Sequence, residues 1–154
     1  MNAPRSAITI LIADDDDDDR QLAREAFHEA RLGNPLAFVE DGEQLLAYLR
    51  REGRYADDAL YPLPGLVLLD LNMPRMDGRE ALAEIKGSDQ LKHIPVVVMT
   101  TSKAEEDVVR SYRVGVNSFI TKPVTFQGLV EVVATLGKYW LEIVDLPGGA
   151  AKDA

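Results

Sequence analysis

A chain of 154 residues is the size of one domain, and 46% hydrophobic residues can bury a core without crosslinks or a structural metal. The absence of cysteine excludes disulfides, thiolate metal sites and thiol nucleophiles, and is compatible with a reducing cytoplasm, where the chain is placed by default. The formal net charge of −9, to which Asp14 to Asp19 alone contribute six negative charges, argues against contact with nucleic-acid backbones, and no basic helix or arm offsets it.

The first predicted strand, Ile8 to Ala13, is too short to span a bilayer and runs into aspartates rather than a small-residue cleavage site, so no leader or membrane anchor is expected. Asp17 to Asp19 then suit the N-terminal turn of a helix, where the macrodipole favours negative charge, and Leu22, Ala23, Ala26, Phe27 and Ala30 stack along that helix. Leu36 to Val39 is the second strand, followed by a helix with Leu45, Leu46 and Leu49 on one face. The Pro-containing connection from Gly53 to Gly65 reads as a solvated loop rather than an active-site lid. Leu66 to Asp70 is the third strand, with Ala81, Leu82 and Ile85 on the helix after it. Val96 to Met99 is the fourth, with Val108, Val109 and Tyr112 on its helix, and Ser118 to Thr121 the fifth. The last helix starts at about Phe126 and repeats Leu129, Val133, Leu136, Trp140 and Ile143. Val132 and Tyr139 widen its apolar face, which suggests a dimer or partner contact through Val132, Tyr139 and Trp140 unless Leu146-Pro147 folds back over it. Five βα units around a parallel sheet follow from this alternation. One domain is expected over 1–146, with an extended C-terminal helix, a free tail over 147–154 and no output domain.

Asp70 closes an apolar strand and opens the turn-rich run Asp70-Leu71-Asn72-Met73-Pro74-Arg75-Met76-Asp77-Gly78. A carboxylate there sits at the C-terminal mouth of the sheet, where open α/β folds carry their sites. Asp14, Asp15 and Asp16 follow the first strand, which in a parallel sheet commonly lies beside the third. Carboxylates gathered in this way persist only if protonated or bridged by a cation, and an all-oxygen set suits Mg²⁺. Thr100-Thr101-Ser102 brings hydroxyls to the same edge, and Lys122-Pro123 brings an ammonium. Carboxylate, metal, hydroxyl and ammonium around one point make a phosphoryl-transfer site with Asp70 as acceptor. Asp14, Asp16, Asp18 and Glu25 also fall at positions one, three, five and twelve of an EF-hand loop. The glycine required at position six is Asp19, however, and a strand stands where a helix is needed. His28 and His93 have no second ligand at metal-binding spacing.

On Asp14-Asp15, the run from Asp70 to Gly78, Thr100-Thr101 and Lys122-Pro123, the chain resembles the receiver domain of two-component response regulators, from Ile8 to about Trp140. The resemblance implies a flavodoxin-like (βα)5 doubly wound α/β sandwich with a central five-stranded parallel sheet. It also implies a phosphoryl group received on Asp70 from a histidine kinase or phosphotransfer protein. Asp15, Asp70 and the backbone carbonyl of Asn72 would ligate Mg²⁺, Asp14 would act through water, and Thr100 and Lys122 would bind the phosphoryl oxygens. Thr100 and the aromatic Phe119 would be the switch; many receivers have Tyr at the position of Phe119, and no hydroxyl is available here. The runs Val39-Glu40-Asp41-Gly42-Glu43, Arg50 to Tyr55, Thr100-Thr101-Ser102 and Tyr139-Trp140-Leu141 are similar to stand-alone regulators of phytochrome-type sensor kinases, which pair through the last helix. A haloacid-dehalogenase-like phosphatase shares the strand-end Asp, Mg²⁺, Thr and Lys, but it generally has an acidic residue two places after the nucleophile, where this chain has Asn72. A binding module independent of phosphorylation would need a broken pocket, and the pocket is whole in sequence.

Overall fold

The structure is a computed structural model and describes residues 8–57, 59–71, 73, 75–76, 78–100, 118–121 and 125–138, with the backbone alone at 100 and 118–121. In chain order its elements are β1 (Ile10–Ala13), α1 (Asp17–Glu29), β2 (Leu36–Val39), α2 (Gly42–Leu49), a 3₁₀ turn (Gly53–Ala56), β3 (Leu66–Asp70), α3 (Gly78–Gly87), β4 (Val96–Thr100), β5 (Ser118–Thr121) and α4 (Phe126–Leu136). The five strands form one parallel sheet in the order β2-β1-β3-β4-β5. Every residue of β1 and β3 is buried, as the near-continuous apolar runs of a sheet covered on both faces require.

Successive strand residues alternate between two helical layers. Leu11, Ala13, Val67, Leu69, Val96 and Val98 pack with α2 and α3, whereas Ile10, Ile12, Leu66, Leu68, Val97 and Met99 pack with α1 and α4. Each fully buried Leu or Val contributes about 1.5–3 kcal/mol relative to exposure. Among the described residues three helices begin on side-chain caps: Asp16, Asp41 and Thr125 accept the backbone N–H of Asp19, Gln44 and Gly128 at 2.9, 2.8 and 3.0 Å.

Three expectations are adjusted. The first strand starts at Ile10, because the Ile8 carbonyl accepts the Asn34 side-chain amide instead of a sheet partner. Leu22, expected in the α1 stripe, is exposed. The connection after α2 is anchored rather than simply solvated: Tyr55 is buried, its ring lies 5.2 Å from that of Tyr48 and 4.9 Å from that of Tyr61, and the Tyr48 hydroxyl donates to the Pro62 carbonyl at 2.8 Å. Leu60 and Leu63 form its exposed side. The expected helix with Val108, Val109 and Tyr112 lies outside the described residues, as do Tyr139, Trp140 and the tail.

Candidate functional site

In a sheet of this order the winding reverses between β1 and β3, and the crevice beyond their C-terminal ends is the usual place for a site. Ala13 pairs with Leu69, so Asp14 and Asp70 are the next residues of adjacent strands. Asp14 and Asp70 are 2% and 3% exposed, Asp15 is exposed, and one carboxylate oxygen from each of the three lies within 4.8 Å of the other two. Two unit charges at that separation repel by roughly 3 kcal/mol at an effective dielectric near 20. An exclusively oxygen donor set, partly buried and uniformly anionic, fits a hard divalent cation such as Mg²⁺.

The chain around Asp14 holds this arrangement. Its backbone N–H donates to the Val39 carbonyl at 3.0 Å, extending the β1–β2 ladder by one residue. Its Oδ1 accepts the Asp16 N–H at 3.0 Å, a turn that starts α1, and its carbonyl accepts Arg20 at 2.7 Å. Arg20 also pairs with Asp17. Asp17 to Asp19 occupy the first turn of α1, as the sequence suggests, and Asp16, grouped in sequence with Asp14 and Asp15, is the cap of that helix.

After Asp70 the backbone doubles back. Gly78, the first residue of α3, donates its N–H to the Leu71 carbonyl at 3.0 Å. A Cβ on Gly78 would lie 2.6 Å from the Asp70 carbonyl oxygen, so only glycine allows this approach. The other side of the same segment is tied to α2: Arg75 donates to the buried Asp41 carboxylate at 2.7 Å, and Gly42 N–H donates to the Met76 carbonyl at 2.9 Å. Asp41 and Arg75, which stand in sequence only within the runs Val39 to Glu43 and Asp70 to Gly78, are joined by this contact although nothing in either run pairs them.

Thr100 ends β4 opposite Thr121, and Phe119 lies opposite Val98, so the expected hydroxyl-bearing strand β4 adjoins β3 and the expected switch strand β5 lies one strand further out, beside β4. The side chains of Thr100 and Phe119, and Asn72 and Lys122 altogether, lie outside the described residues. Val132 is half-buried and lines a cleft of about 70 Å³ between α1 and α4.

A doubly wound parallel sheet with an aspartate at the end of its central strand and two more at the adjacent strand end defines a receiver-type protein. The response regulator receiver domain family matches residues 10–134, and the chain belongs to that family. It is 42% identical to the response regulator Rcp1 of Synechocystis sp. over 138 residues, which cover 90% of this chain and 92% of that protein. It is similar to the phosphorylated cyanobacterial phytochrome response regulator RcpA, with 42% identity and a TM-score of 0.77 over 87% of this chain and 94% of that one. The Mn²⁺-bound form of Rcp1 matches with 40% identity and a TM-score of 0.76 over 88% and 96%. The chain is therefore a two-component receiver domain similar to phytochrome response regulators, in a family that is typically phosphorylated and Mg²⁺-binding and implies a histidine kinase partner. The haloacid dehalogenase reading finds no support in these matches. Among the described residues no helix is long and apolar enough to cross a membrane.

Proposed function

We propose that the chain is a stand-alone response regulator that takes a phosphoryl group onto Asp70 from a histidine kinase. The observation that carries this reading is the cluster of Asp14, Asp15 and Asp70 at the β1–β3 switch point. An Asp70 carboxylate oxygen attacks phosphorus, the bond to the donor imidazole nitrogen breaks, and its electron pair leaves with the imidazole, giving an aspartyl phosphate. Asp15 and Asp70 would hold Mg²⁺ directly with the Asn72 carbonyl, and Asp14 through water. Bound Mg²⁺ supplies neutralisation of charge on the phosphoryl oxygens. Thr100 and Lys122 bind those oxygens, and Thr100 and Phe119 shift the population between two surface states.

The similarity to RcpA supports a phytochrome-type kinase as the donor. The match across 92% of Rcp1 supports a receiver domain over 1–146, followed by a 147–154 tail. Pairing of two copies through the last helix, with Val132, Tyr139 and Trp140 at the contact, and a cytoplasmic setting complete the proposal. The protein's own chemistry is confined to its phosphorylation and dephosphorylation.

The test is incubation of wild type and Asp70→Asn with acetyl phosphate and Mg²⁺, followed by intact mass spectrometry. One added phosphoryl group on wild type alone is expected. An equal adduct on Asp70→Asn, or steady release of inorganic phosphate with no adduct, would overturn the assignment.

A further inference from the structure

We propose that Asp41 and Arg75 form a clamp that positions the phosphoacceptor segment for metal binding, an inference that rests on the reading of Asp70 given above. Arg75 donates through one guanidinium nitrogen to Asp41 Oδ2 at 2.7 Å, while Asp41 Oδ1 caps α2 through Gln44 N–H at 2.8 Å. The Asp41 side chain is 2% exposed and that of Arg75 63%. One residue further on in each segment the backbones are joined as well, Gly42 N–H to the Met76 carbonyl at 2.9 Å. The approach is so close that a Cβ on Gly42 would lie 2.2 Å from the Met76 carbonyl oxygen. Arg75 holds a φ of +60°, a left-handed conformation that costs a non-glycine residue energy and persists when the surroundings over-determine it. An ordinary surface ion pair has none of these companions.

The clamp closes a loop of connections that passes through Asp14 and Asp70. From Asp41 the chain runs back two residues to Val39, whose carbonyl accepts the Asp14 N–H. From Arg75 it runs back to Asp70. The Gly78 to Leu71 hydrogen bond fixes the base of the segment, and Arg75 with Met76 fixes its far side. With the far side released, the carboxylate of Asp70 loses its fixed spacing from Asp14 and Asp15.

Charge alone predicts the opposite of positioning, which makes the effect's sign decisive. Loss of the Arg75 cation makes the site more negative, so by electrostatics alone a divalent cation would bind Arg75→Gln more tightly, Asp41→Asn more weakly, and the double variant about as well as wild type. The clamp predicts weaker binding in all three, by similar factors of about tenfold, because removing either partner opens the same contact and the second removal adds nothing. Arg75→Lys, which keeps the charge and one donor, should recover part of the loss.

The measurement is titration of Mn²⁺ into the metal-free full chain, with free Mn²⁺ followed by electron paramagnetic resonance and Mg²⁺ affinity obtained by competition. Unchanged or tighter binding in Arg75→Gln would overturn the clamp, as would a double variant restored to wild-type affinity. Thermal unfolding in EDTA checks the fold; should Asp41→Asn not fold, Arg75→Gln, altered at a largely exposed side chain, still decides the sign. Wild type that binds no Mn²⁺, or Asp70→Asn that binds it unchanged, would instead refute the acid-trio reading beneath the proposal.

Discussion

Tyr48 is buried on α2, and its hydroxyl is satisfied by donation to the Pro62 carbonyl at 2.8 Å. Burial raises its pKa above the ordinary 10.0, against a lowering by Arg51 and with smaller raising effects from Tyr55 and Tyr61. An acid whose folded pKa exceeds its unfolded one adds stability that is complete below pH 10 and is lost as pH rises through the folded pKa. Lys86, whose pKa burial lowers from 10.5, works with the opposite sign: stability rises as pH climbs through its folded pKa. Urea unfolding of wild type and Tyr48→Phe between pH 8 and 11.5 isolates the Tyr48 part, since Lys86 is common to both. At pH 8 the variant should be less stable by about 1 kcal/mol for the lost hydrogen bond, and the gap should narrow above pH 10. A parallel alkaline slope in both proteins would place the titration elsewhere. Tyr48 was not legible in the sequence because it stood beside the Leu45, Leu46 and Leu49 stripe, and its partner carbonyl is 14 residues away in a connection of no regular period. Asp14, Asp15 and Asp70 were legible, because a strand end has only one place to go in a parallel sheet. The contact between Asp41 and Arg75 was not, since it joins two loops 34 residues apart.

At the level of elements, every described strand and helix was visible as apolar runs or helical stripes, and most boundaries followed. What the pattern could not show is how closely elements approach. Gly78 looks in sequence like a turn glycine; in the fold its role is proximity, with the Asp70 carbonyl oxygen and Leu71 Cα each 2.6 Å from where a Cβ would stand. Both are backbone atoms and cannot swing aside. Gly87, at the other end of α3, would place a Cβ with nothing inside 4 Å. Gly78→Ala should therefore destabilise by about 1–3 kcal/mol through overpacking and disturb the end of β3, while Gly87→Ala should stabilise by about 0.5 kcal/mol through reduced unfolded-chain entropy. Chemical denaturation of both variants checks the pair; equal effects would mean that helix propensity, not proximity, governs α3. The anchored connection after α2 was missed for a related reason, because three tyrosines scattered over residues 48–61 carry no period and meet only when the chain folds.

For the whole molecule, a net charge of −9 makes any added salt stabilising by screening, so an effect of Mg²⁺ has to be separated from that background. Asp70→Asn does so. Without divalent cation the variant should be more stable than wild type, because one of three charges held within 4.8 Å is gone. Two repulsions are removed, each roughly 3 kcal/mol at an effective dielectric near 20 before solvent screening, which weakens the pair with exposed Asp15 most. Mg²⁺ at ten times its dissociation constant should then stabilise wild type by about 1.4 kcal/mol, which for a chain of this size raises the melting temperature by about 3–6 °C. The variant should respond only as it does to NaCl at matched ionic strength, so the gap between the two proteins narrows with Mg²⁺ and not with NaCl. Equal shifts in both proteins would mean that the cation acts on the diffuse negative charge of the surface, and that the three strand-end aspartates do not form the site.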